Sequence, residues 1–123
     1  MNDVEGVRDS LLRVAWAEVL ATNAETVRNF PAAARAIDAG ASSEDVVTAM
    51  QAASYETAFR LLFLLSSEHA PEDQADATKG WALVPFDLAT GRPQIDEGDV
   101  LIGVHEDLLE ADPTGRGGED LWI

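Results

Sequence analysis

Val7, Leu11, Leu12, Ala15, Trp16, Val19 and Leu20 recur at steps of three and four, the spacing that gathers side chains on one face of a helix. The pattern predicts a helix over about residues 4–21, with Asp3 as its N-cap. Asp9 and Arg13 are placed to pair one turn apart on the wet side. Thr22 and Glu25 have capping-box spacing, so a second helix is expected to start there. Pro31 interrupts it, because an interior proline removes a hydrogen bond and clashes with the preceding turn. A short helix from Pro31 to Ala39 is expected instead, with proline in its first turn and Gly40 as its stop.

Ser42 or Ser43 opens the next helix, with Glu44 and Asp45 in the first turn, where the helix dipole favours acids. It is expected to run to about Ser66, roughly 34 Å at 1.5 Å per residue. Its second half, Phe59 and Leu61 to Leu65, is apolar almost all round, which predicts a central place in the core.

Residues 66–80 hold no large apolar side chain and read as a polar loop. Residues 81–86 look like a strand, confined to an edge by Pro85, which cannot donate to a ladder. Thr90 to Pro93 form a turn, and residues 94–95 or 100–102 are candidates for a returning strand. Val104 to Ala111 read as a short helix with Val104, Leu108 and Leu109 inward. Asp112-Pro113-Thr114-Gly115 is a turn signature. Leu121-Trp122-Ile123 is expected to fold back onto the core, with an aromatic anchor for a partner or a second copy as the alternative.

The fold class is therefore mainly α: three to four helices bundled around a long central helix (about 44–66), a small β-element near 81–86 and a short C-terminal helix near 104–111. One domain is expected over 1–123, with a helical core (1–66), a polar loop (67–80) and an acidic cap and tail (81–123).

Charge changes this picture most. Twenty-three acids against eight bases leave a formal net charge of −15 in 123 residues. Residues 1–40 hold six acids and four bases, 41–80 seven and two, and 81–123 ten and two. Such a surface attracts a basic protein and repels nucleic acid. One lysine beside seven arginines and twenty alanines also fits a GC-rich bacterial or salt-adapted proteome, in which acidity is a background trait. An apolar fraction of 46% argues against disorder. The absence of cysteine removes disulfides and thiolate chemistry and suits the cytoplasm. The longest apolar run, Leu61 to Leu65, is far short of the about 20 residues a bilayer span needs, so no membrane association is expected.

Candidate chemistry is sparse. His105 beside Glu106 and Asp107 has the makings of a general base or metal ligand, but the zincin pattern lacks its second histidine, Leu109 standing one turn on. Asp96, Glu97 and Asp99 are weak cation ligands, since Gly98 falls too early for a calcium loop. Gly115, Gly117 and Gly118 lack the strand, helix and lysine of a phosphate loop, and no serine sits in a nucleophile elbow. Glu106, Asp107, Glu110 and Asp112 crowd the short C-terminal helix, where like charges one turn apart repel unless a partner relieves them. No cofactor is implied.

The leading expectation is a non-enzymatic acidic module that engages a basic protein surface through Glu106, Asp107, Glu110, Asp112 and Trp122, as inhibitors, immunity proteins and antitoxins do. The alternatives are a small metal-dependent enzyme built on His105 with Asp96 and Asp99, and a salt-adapted domain whose acidity has no partner. The oligomeric state is left open, a homodimer included.

Overall fold

The structure, a computed structural model, describes residues 3–66 and 80–123. The polar loop expected over 67–80 lies almost wholly outside the described residues. The described residues are mainly helical, with three α-helices, a two-stranded sheet and four short 3-10 turns among them: α1 Asp3–Val19, α2 Pro31–Asp38, α3 Ser43–Leu65, β1 Phe86–Asp87 and β2 Arg92–Pro93.

Helix α1 buries Leu12, Trp16 and Val19, one face at steps of four and three. It ends sooner than the apolar pattern suggests, and no helix starts at Thr22. The Asn23 side chain accepts the N–H groups of Glu25 and Thr26 at 2.9 and 3.2 Å. The Thr26 hydroxyl accepts the Asn23 N–H at 3.0 Å and donates to the Ala21 carbonyl at 2.7 Å. This is the reciprocal logic of a capping box, moved on by one residue. It has little helix to cap, because Pro31 forces Phe30 into an extended conformation (φ −95°, ψ 113°). Only the 3-10 turn Val27–Asn29 fits between. The Thr22 carbonyl accepts from the Gln51 side chain at 2.7 Å, which ties this turn to α3.

Proline opens α2 as expected. Its end is a Schellman motif: Ala41 N–H donates to the Ala36 carbonyl and Gly40 N–H to the Ile37 carbonyl, both at 3.0 Å. The motif needs the left-handed backbone that Gly40 supplies (φ 107°). Ser42 caps α3 by accepting the Asp45 N–H at 3.2 Å.

The core is one cluster. It takes Leu12, Trp16 and Val19 from α1, Tyr55 and Leu62 from α3, and Leu101, Val104, Leu108 and Leu121 from the last quarter of the chain. The acidic C-terminal third is therefore a packing layer as well as a cap. Trp16 donates its indole N–H to the Leu108 carbonyl at 2.6 Å, satisfying both polar groups where water is excluded. Tyr55 sits at the centre of an aromatic line, 5.7 Å from Trp16, 6.3 Å from Phe59 and 6.0 Å from Trp122 between ring centres.

Three expectations are corrected. The apolar end of α3 is not buried all round: Leu62 is enclosed, while Leu61, Leu64 and Leu65 reach solvent, because among the described residues α1 and the C-terminal segments pack on the side that carries Tyr55, Phe59 and Leu62. The strand is shorter and later than expected, Phe86 facing Pro93 and Asp87 facing Arg92. Residues 81–85 instead pair singly, Leu83 accepting from Val100 at 2.7 Å and Pro85 from Gln94 at 2.8 Å. Proline takes part through the one backbone group it retains. The expected C-terminal helix is a 3-10 turn, Val104–Asp107, followed by further turns. Within it Leu108 is fully enclosed but Leu109 is 40% exposed.

Candidate functional site

The candidate acids fall into two classes. Asp112 is turned inward. Its Oδ1 accepts the Thr114 N–H and hydroxyl, each at 2.9 Å, and its Oδ2 accepts the Gly118 N–H at 2.8 Å. Burial alone would raise its pKa. The hydrogen bonds from Thr114 and Gly118, with the Arg116 charge, outweigh that and hold the carboxyl below its ordinary 3.8. Asp112 was a candidate contact for a partner, but the structure commits both of its oxygens to the loop.

Asp112 is one of four side chains doing the same job among the described residues. Asn23, Asp87, Asp99 and Asp112 each accept, through Oδ1, the N–H two residues on, at 2.9 Å in every case. This is the Asx-turn, in which a short carbonyl-bearing side chain stands in for a backbone carbonyl. Asp99 also accepts the Leu83 N–H at 2.9 Å and so holds the extended segment against Leu101. Part of the C-terminal acidity is therefore the material from which its turns are made.

The second class faces water. Glu106 and Glu110 are exposed, and neither makes an ion pair among the described residues. The Glu106 carboxylate curls back over Gly103. Asp107 is half-exposed and pairs with Arg8 of α1 at 3.3 Å; Arg8 also donates to the Ile102 carbonyl. The like-charge crowding expected here is thus relieved at Asp107 from within the chain. Asp9, Leu12, Asp107, Glu110 and Ala111 line a crevice of about 340 Å³ between α1 and the Val104–Asp107 turn. Asp9 and Arg8 were not visible as site residues in the sequence. Asp9 was expected to pair with Arg13, which instead donates to the Ser10 hydroxyl at 3.0 Å. At the other end of the segment Arg116 pairs with Asp120 at 3.0 Å and lies 3.9 Å from Glu119.

Trp122 lies apart from these acids, on the α3 side. Its ring meets Tyr55 edge-on at 87° and is 56% exposed. Leu121 beside it is buried, so the tail does fold back onto the core.

His105 is buried, 5.5 Å from the Phe59 ring and 5.1 Å from that of Phe63, nearly perpendicular to both. Asp96 lies in the exposed 3-10 turn Ile95–Glu97, and Asp99 is occupied with backbone N–H groups. The structure does not bring His105, Asp96 and Asp99 together. Among the described residues no group of three or more histidines and carboxylates is placed to hold a metal, and no helix is long and apolar enough to cross a membrane. No protein-family model matches the chain, and neither does any curated protein or solved structure.

Proposed function

We propose that this chain is a non-enzymatic binding module, with an inhibitor-, immunity- or antitoxin-like role in the cytoplasm. In this reading it receives a basic protein surface on Asp9, Glu106, Asp107 and Glu110. The observation that carries the reading is the crevice between α1 and the Val104–Asp107 turn, where Asp9, Asp107 and Glu110 converge around an apolar floor of Leu12 and Ala111. Carboxylates from two distant parts of the chain meet there, and Arg8 offsets one of them. Asp112 supports this surface by shaping the loop behind it. Trp122 offers a separate aromatic contact.

Acidic convergence of this kind speeds encounter with a cationic partner and makes affinity fall with salt. The test is capture from the native cell extract, followed by calorimetry on the purified captured protein. We expect a basic protein whose affinity drops on the order of tenfold from low to physiological salt and again in Glu106→Gln/Glu110→Gln. An affinity indifferent to both changes rules the reading out.

A further inference from the structure

The long helix has a second apolar face that nothing in the described chain covers. Ala53, Thr57, Leu61 and Leu64 follow one another at steps of four, four and three and so share one side of α3. Leu61 is 53% and Leu64 49% exposed. Beside them a groove of about 510 Å³ runs between α3 and α1, floored by Ala15, Val19, Ser54 and Ala58, with Glu18 as the one charged residue in its lining among the described residues. Val14, one turn from Glu18 on the same side of α1, is 59% exposed. Residues 67–79 contain no large apolar side chain.

We propose that this face is a self-association surface, taking the α3 of a second copy in antiparallel, two-fold symmetric contact centred on Thr57. A two-fold contact must be self-complementary, and the spacing about Thr57 is. Residues equally far before and after it face each other, which sets Leu61 over Ala53 of the other copy and Leu64 against Met50, large against small at the first position. Arg60 and Glu56 lie together on one rim of the stripe, and the same operation brings Arg60 of each copy alongside Glu56 of the other. Two α1–α3 pairs then make a four-helix arrangement, a common way to bury such a face. The far rim carries Glu18 from both copies. Repulsion there, and between two bodies of charge −15, falls with added salt. Self-association therefore strengthens with salt, opposite in sign to capture of a basic partner on the acidic crevice, so the two readings stand or fall separately.

Sedimentation equilibrium across a concentration series at low and high salt tests this. We expect a reversible dimer whose association constant rises severalfold with salt. Leu61→Glu, at a position already half in water, should lower it by about tenfold or more. Arg60→Glu should weaken it, and Arg60→Glu/Glu56→Arg should restore it. The chain has no cysteine of its own, so Thr57→Cys carries a single thiol close to the symmetry axis. It should form disulfide dimers on mild oxidation, far ahead of Ala32→Cys on the exposed side of α2. A wild-type chain that stays monomeric at its highest soluble concentration in high salt overturns the proposal, as does Thr57→Cys cross-linking no faster than Ala32→Cys.

Discussion

Asp112 shows how a residue's role turns on the few atoms around it. An enclosed carboxylate that accepts two backbone N–H groups and a hydroxyl is favoured as the anion. Its pKa lies below the unfolded value, so its contribution is present above about pH 4 and lost as pH falls through the folded value. We expect Asp112→Ala to lower the unfolding free energy by about 2 kcal/mol at neutral pH, since charge-assisted hydrogen bonds are each worth more than neutral ones. In urea unfolding, the gap between wild type and variant should narrow as pH falls below about 4. A gap that persists there would mean that the loop is held by something other than the ionised carboxylate. In the sequence this aspartate looked like its acidic neighbours. What set it apart was the Asp-Pro-Thr-Gly string, a turn signature that predicts an inward oxygen. The exposed acids carry no such mark. Asp9 joined them only because α1 packs beside the Val104–Asp107 turn, a meeting that no local pattern encodes.

At the level of elements, the boundaries set by local chemistry were legible and those set by tertiary contact were not. Pro31, Gly40 and Ser42 mark the ends of α2 and α3, because a cap or a stop is satisfied by atoms within a few residues of itself. The turns at Val104–Asp107 and Glu119–Trp122 are held by what lies across from them, Trp16 and Tyr55, which sequence periodicity does not register. The same holds for the far end of α3, where apolar composition all round was a sound sign of burial only if every side found a neighbour. Gly118 shows how close the tail element comes. A β-carbon there would lie 2.6 Å from Leu109 Cδ2 and 3.8 Å from Trp16, at a φ of +74° that side-chain-bearing residues rarely adopt. We expect Gly118→Ala to cost about 1–3 kcal/mol through overpacking and backbone strain, read as a lowered melting temperature. An unchanged melting temperature would show the tail to be docked loosely.

For the molecule as a whole, the charge of −15 is divided between architecture and surface. Asp87, Asp99 and Asp112 build turns, while Asp107, Glu119 and Asp120 are paired with arginines. Asp96, Glu97, Glu106 and Glu110 face solvent. Remaining self-repulsion is a folding cost that salt relieves. We expect the thermal midpoint to rise by several degrees between low and molar salt. A flat response would mean that the acids are already offset inside the fold, and it would remove salt adaptation as a sufficient explanation of the composition.

The hydrogen bond from Trp16 to Leu108 spans 92 positions of the chain, and it has a consequence for the order in which the protein takes shape. Leu12, Trp16 and Val19 pack against Tyr55 and Leu62 of α3 and also against residues from Leu101 onward, so α3 alone covers only part of the first helix's apolar face. On the ribosome the rest of that face waits until the residues beyond Leu101 are made. In refolding, the closure of a loop this long must precede the contacts that reward it. A chain this rich in helix is therefore expected to mature with the tempo of a protein built from distant pairings.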